Sequence, residues 1–479
     1  MSKSKIHLAL VVMLLSAWAV QSSGQTVVPA TKEQVNKLIA VIESDASLKE
    51  KADACRLLAI VGTKEAVKPL AALLGDEKLS HMARYALEPI PEPAVDEAFR
   101  SALGKLKGRP LIGVITSIGV RKDSTAVTQL GALLNHSDLQ VVDAAARALG
   151  DIGNSAAAGV LKAALLNARE AKLLSLCRGL FRTAEALADA GQRDQAASIY
   201  EQLRGFTMAP HQVRTGALRG AILTRKDGLS LLRETLRSKD YLLFAAAVKT
   251  TMEMQDDRVT DVLTAEIDKL PADNKILVIR TLGQRGDARA LPTLATLARE
   301  AAKPVRLAAI KAMPRIEKAT GLSLVGLFDD NDRDISETAK ESFASIKHPA
   351  VDDVVVKMFK SDDTPKRLTA LELMGRRRMT ASIPDILTAT RDSDPQLRSA
   401  AIIKVGELGG PDQLPPLLDL LMDLTDSRDL DSARRAIGAV CSKAENPESC
   451  TDRLAALLPK AKTQQKIVLL RVMSGIGGS

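Results

Sequence analysis

Aromatic residues are scarce in this 479-residue chain: 1 Trp, 3 Tyr and 7 Phe, or 2% of the sequence. That scarcity argues against ring platforms on which sugars or single-stranded nucleic acids stack. No stretch of useful length alternates apolar and polar residues, so no strand is signalled. Also missing are a Gly-x-Ser-x-Gly elbow, a Walker loop, a Gly-x-Gly-x-x-Gly turn and a His-Glu-x-x-His helix. The sequence therefore proposes no reaction and no cofactor. His81, His136, His211 and His348 lie far apart with no second ligand nearby, and read as surface residues rather than a zinc site.

What is present is aliphatic. The chain is 46% hydrophobic and 26% charged, the composition of folded protein, and its apolar share is mostly Ala, Leu, Val and Ile. Small aliphatic side chains suit close-packed helices. Net charge is +9, or +7 without Lys3 and Lys5, a mild excess that is no nucleic-acid footprint. Those two lysines precede an apolar run, Ile6 to Val20, followed by Ser22-Ser23-Gly24. A basic start, a 15-residue apolar run and small residues after it make 1–24 a signal peptide, since a membrane span needs about 20 apolar residues. No Cys follows the run, which argues against a lipoprotein anchor. Residues 25–479 are then exported, to the periplasm or outside the cell, with no transmembrane span. In that oxidising setting Cys441 and Cys450, nine residues apart, are candidates for a disulfide. Cys55 and Cys177 read as small buried hydrophobes.

An apolar pair at i and i+4 recurs along the chain. Its first members are Leu38, Leu70, Phe99, Leu130, Leu161, Ile199, Leu232, Leu263, Leu294, Leu324, Val355, Ile386, Leu417 and Leu454. Eleven of the thirteen spacings fall between 29 and 33, a period that marks a repeat architecture. A second helical pattern follows each pair, as at Asp138 to Leu149, Pro304 to Met313 and Asp394 to Leu408. Asp or Ser supplies an N-cap, Pro365 and Pro395 suit a first turn, and Gly62, Gly150, Gly153, Gly283 and Gly409 are expected to end helices in the left-handed conformation. The expected fold is all-α: an α-solenoid of about fourteen two-helix units. At roughly 10 Å per helix layer it would run on the order of 140 Å along its contour. Its concave face, lined by second helices, would be free for a partner.

Segments 62–74 (GTKEAVKPLAALL), 286–297 (GDARALPTLATL) and 392–421 resemble HEAT repeats. The short period is similar to the bacterial, phycobilisome-lyase type of HEAT-like repeat. The resemblance spans about 30–479, and implies a scaffold rather than a particular activity. A chromophore-lyase role is opposed by export and by the lack of any cofactor signal. Within 185–205, Gly191-Gln-Arg-Asp-Gln-Ala196-Ala-Ser-Ile-Tyr200 resembles a tetratricopeptide hairpin. HEAT-like arrays often use a basic residue early in the second helix, paired with turn aspartates, as a ladder between repeats. By that resemblance Arg84, Arg214, Lys275, Arg306, Arg367 and Arg398 take that place.

Another basic set, Arg121, Lys122, Arg225, Lys226, Arg376, Arg377 and Arg378, follows second helices. Two readings stay open: a solvated edge of cations at helix C-termini, or a binding edge for an acidic polymer. Asp330-Asn-Asp332-Arg-Asp334 with Glu341 imitates a calcium loop, yet position 6 is Ile335 where that loop needs Gly. Helix capping by the aspartates is the better reading. The end, Val472 to Ser479, is similar to Val405 to Pro411, where the array goes on, so a longer protein is expected. The overall expectation is a secreted, non-catalytic scaffold with a protein partner. The alternative is the N-terminal accessory region of a larger secreted, carbohydrate-active enzyme.

Overall fold

A computed structural model describes residues 31–476 apart from Arg169; the signal peptide read at 1–24 and the last three residues lie outside it. The described residues form 28 α-helices and no strand, in two compact parts that meet between Gly228 and Leu229. Helices pair along the chain. In the first part the pairs are Lys32–Glu43 with Leu48–Val61, Lys64–Ala72 with Ser80–Leu87, Pro93–Leu103 with Gly108–Arg121, Val127–Leu133 with Leu139–Ile152, Ser155–Leu166 with Glu170–Asp189, and Arg193–Gly205 with His211–Thr224. After the helix Gly228–Leu236 and its mate Tyr241–Thr250, the second part continues with six more pairs. They are Arg258–Ile267 with Ala272–Arg285, Leu291–Glu300 with Lys303–Ala312, Leu322–Val325 with Arg333–Ala344, Pro349–Phe359 with Thr364–Arg376, Ile383–Ala389 with Pro395–Leu408, and Leu414–Asp423 with Ser427–Cys441. Pro447–Leu457 with Thr463–Ile476 closes the series. The fold is an all-α solenoid.

Local chemistry explains the pairing. Each of the fourteen recurring apolar residues lies on a first helix and is buried, Leu70, Phe99, Leu130, Leu161 and Leu263 completely. Second helices begin at aspartates whose carboxylates accept backbone N–H groups of the first turn: Asp138, Asp240, Asp332, Asp363, Asp394 and Asp426. Such a cap satisfies donors that a helix start leaves unpaired. Arg193–Gly205 is reached through a turn in which Gly191 is left-handed, φ 79°.

Within each part, second helices of successive repeats pack side by side, and glycine sets several of their closest approaches. A Cβ on Gly119 would lie 2.9 Å from Ala148 Cα, one on Gly283 2.9 Å from Ala312 Cβ, and one on Gly406 2.4 Å from Ala436 Cα. The expectation that all five of the glycines read from the sequence end helices in the left-handed conformation needs correcting. Gly150 and Gly283 lie inside helices, and Gly62 and Gly409 are extended caps. Of the five, Gly153 alone is left-handed, with φ 65°. Gly286 (φ 68°) holds the equivalent place after Ala272–Arg285, and Lys122 and Arg378 hold it at φ 53°.

Two glycine-to-alanine changes should therefore move stability in opposite directions. Gly406→Ala forces a methyl against Ala436 and should cost about 1–3 kcal/mol. Gly159→Ala, inside Ser155–Leu166 with nothing within 4 Å, should gain about 0.5–1 kcal/mol by restricting the unfolded chain. Thermal melting followed by circular dichroism checks both, and a rise in Tm for Gly406→Ala would refute the close-approach argument.

Candidate interaction surface

The last four carbonyls of a helix have no partner within it. At four places the following repeat supplies one. Arg121 donates to the carbonyls of Glu88 and Ile90, both at 2.8 Å, and to Glu92 at 3.4 Å. Arg377 repeats this on Ala344 (3.0 Å), Ile346 (2.6 Å) and His348 (3.5 Å). Arg285 reaches Thr251, Met254 (3.1 Å) and Asp256 (3.4 Å). Lys443 takes the carbonyls of Gly406, Glu407 and Gly409 at 2.7–3.0 Å. Asp96 and Asp352 pair with Arg121 and Arg377 at 2.5 and 2.6 Å. Each cation closes the preceding second helix and fastens two repeats together. Sequence reasoning passed over Arg285 and Lys443, although both stand at or just beyond the end of a second helix, like Arg121 and Arg377.

This clamp redistributes the basic set seen in the sequence. Arg121 and Arg377 point back into the protein, with side chains 13% and 9% exposed. Arg225 pairs with Glu201 and Asp227, Lys226 with Asp194, and Arg376 with Glu337 and Glu372. Lys122 and Arg378 are exposed. Five of the seven are thus engaged within the protein.

In the other basic series, three members meet aspartates of the next repeat. Arg306 pairs with Asp330 and donates to Ala298 O at 2.8 Å. Arg367 pairs with Asp392 at 2.8 Å and lies over the Phe359 ring. Arg398 donates to Asp429 at 2.6 Å and to Asp392 O at 2.8 Å. Asp429 is 1% exposed and also accepts the Ser399 hydroxyl at 2.6 Å. Arg84 instead reaches Gly113 O and Ser117, and burial lowers its pKa. Arg214 keeps a buried Nε with no partner among the described residues, and Lys275 is half-buried early in Ala272–Arg285. A related carboxylate, Glu266, is 2% exposed; hydrogen bonds from Arg237 first, and then Lys269, hold its pKa down to about 2.

The aspartates of the calcium-like segment are engaged within the protein. Asp332 caps Arg333–Ala344, Asp330 meets Arg306, and Lys303 binds Asp332 and Asp334. Ile335 is buried. Among the described residues no three His, Cys, Asp or Glu side chains are grouped so as to hold a metal. Cys55 and Cys177 are fully buried, and burial pushes both thiols up to about 11. Cys441 and Cys450 are free, buried thiols that touch each other; burial first, then the Cys450 thiol, pushes Cys441 up to about 12.

Outside these contacts, second helices present an open face. In the second part its charges are balanced: Glu337, Lys340, Glu372 and Arg376 form one network across two helices. In the first part a cavity of about 310 Å³ opens between Leu139–Ile152 and Glu170–Asp189. Asp143, Arg147, Ser175, Arg178, Phe181 and Arg182 line it.

The clamp gives a direct test. Arg377→Met keeps an apolar stem but strands three carbonyls, and should cost about 1–3 kcal/mol. Its neighbour Arg378 contributes only a strained backbone, so Arg378→Gly should gain about 1 kcal/mol. Paired melting curves check this; equal effects at the two positions would show that Arg377 clamps nothing.

A family model for HEAT repeats matches residues 111–176 and 351–438. No curated protein matches the sequence at a significant level. Among solved structures, the chain is similar to Kap121p bound to Nup53p, with TM-score 0.44 and 11% identity over 98% of this chain and 62% of that one. It is also similar to importin beta in a polyethylene glycol condition, with TM-score 0.37 and 12% identity over 94% and 70%. Human deoxyhypusine hydroxylase in complex with glycerol gives TM-score 0.24 and 16% identity over 53% and 98%. The chain spans about three fifths of the Kap121p chain's length. HEAT repeats are thus matched in both compact parts, within a series of fourteen helix pairs.

Proposed function

We propose that this protein is an exported, non-catalytic scaffold that holds a protein partner on the face built by its second helices. The observation that carries this reading is the division of labour within each repeat. First helices contribute the buried apolar row, whereas second helices give one side to their neighbours and leave the other open. Stacked repeats produce extended binding faces in this way, and HEAT repeats serve many unrelated proteins as such. No described helix is long and apolar enough to cross a membrane. Export rests on the basic and apolar start of the sequence. In an oxidising compartment the touching thiols of Cys441 and Cys450 would be joined, tying the end of Ser427–Cys441 to the first turn of Pro447–Leu457.

Three measurements test these statements. Native full-length protein recovered from outside the cytoplasm should have lost residues 1–24. Without reductant it should resist thiol alkylation at Cys441 and Cys450 while unfolded; labelling of both would remove the disulfide. Hydrogen exchange on a purified complex with a captured partner should show new protection on second-helix segments. Protection confined to first helices, or failure to retain any partner, would overturn the scaffold reading.

A further inference from the structure

The cavity between Leu139–Ile152 and Glu170–Asp189 brings three arginines from two neighbouring second helices around an aromatic side chain. Spacings of three and four place Arg178 and Arg182 with Ser175 on one side of their helix, and Asp143 and Arg147 on one side of the other. Arg147 is exposed, and its contact with the Thr116 hydroxyl is long, 3.5 Å. Arg178, 66% exposed, meets Asp143 at 4.0 Å. Asp143 already accepts a 2.7 Å hydrogen bond from Ser175. Arg182 is paired with Asp151. Three guanidiniums thus share one opening, and most donors of Arg147 and Arg178 are unspent. The cavity between Ser427–Cys441 and Thr463–Ile476 also carries arginines, Arg434 and Arg435 both bound to Asp431 and the exposed Arg471, but it is lined by no aromatic side chain.

We propose that this opening is a docking site for a carboxylate-rich segment of a protein partner, deepening the scaffold reading on which it rests. Guanidinium forks match carboxylates with two parallel hydrogen bonds. The half-buried Phe181, packed on Tyr200 with ring centroids 6.0 Å apart, offers an apolar floor between the two unspent forks. A volume of about 310 Å³ lies at the small end for ligand sites, the scale of a few side chains. A uniformly anionic polymer needs an unbroken track of cations. Here Asp143, Asp151 and the exposed Glu185 interrupt the basic cluster, which a peptide of mixed composition can accommodate and a polysulfate cannot.

The test is fluorescence anisotropy on the full chain, with a fluorescein-labelled decapeptide of glutamates interrupted by two phenylalanines. Saturable binding is expected at low ionic strength, weakening as salt rises. Arg147→Glu with Arg178→Glu should raise Kd at least tenfold. The milder Arg147→Gln with Arg178→Gln should raise it at least threefold, and Arg434→Gln should leave it unchanged. Absence of wild-type binding, or unchanged binding in a double variant with intact helical circular dichroism, overturns the proposal. Tighter binding of heparin with the same arginine dependence also overturns it, assigning the cluster to a polymer. A captured partner that stays equally bound to the double variants removes this site and leaves the scaffold reading standing. A wild type that retains no partner removes both.

Discussion

A stack of short helix pairs multiplies helix ends, and every end exposes carbonyls that must find donors. This constraint governs the chain more than burial does. Burial is secured repeat by repeat through the apolar row from Leu38 to Leu454, but a repeat that buried its own row could still slide against the next. The carbonyls after Ser80–Leu87, Tyr241–Thr250, Arg333–Ala344 and Pro395–Leu408 are instead satisfied by Arg121, Arg285, Arg377 and Lys443 of the following repeat. One cation therefore fixes the spacing of two repeats and removes the polar cost of ending a helix there.

Second helices also lie close. Gly406 faces Ala436 with no room for another carbon at the crossing that Lys443 spans, and Gly119 and Gly283 face Ala148 and Ala312 in the same way on the repeat after the one that holds Arg121 or Arg285. The scarcity of aromatic residues follows from the same geometry: a ring at such a crossing would push the helices apart and pull the cation off its carbonyls. Tyr200 and Phe181 occur where Arg193–Gly205 departs from the usual repeat spacing, and Gly220, whose Cβ would overlap the Tyr200 ring, makes the space there.

The repeat period was legible because it records burial, which needs only residue type and position. All fourteen positions named from the sequence are core residues on first helices. Direction was not legible. Arg121 and Lys122 are adjacent and alike in charge, yet one folds back onto carbonyls while the other ends the helix in the left-handed conformation. Gly150 and Gly153 differ in the same way, one marking a helix crossing and the other a helix end. In the first pair a single residue of helical phase, about 100°, decides the role; in the second, three residues separate the helix interior from its end, and both depend on where the cap falls. The Asp caps at 138, 332 and 394 were readable and fixed the starts; the ends were not.

Charge on a solenoid face is informative only after structural obligations are subtracted. By number alone the richest basic run is Arg376-Arg377-Arg378, yet Arg377 belongs to a clamp and Arg376 to a balanced network. Arg147 and Arg178, whose donors are mostly left over, lie in different repeats and look unremarkable in sequence. Each sits on the solvent-facing side of a second helix whose buried side is fully used in packing, Ala144, Ala145 and Ala148 on one and Leu176, Cys177 and Leu180 on the other. The packed helices fix the separation of the two backbones, so a ligand that bridges the forks has only the side chains left to order. A recognition site on such a fold is thus a place where the stacking rules leave donors over, and it is found by accounting for hydrogen bonds rather than by counting charges.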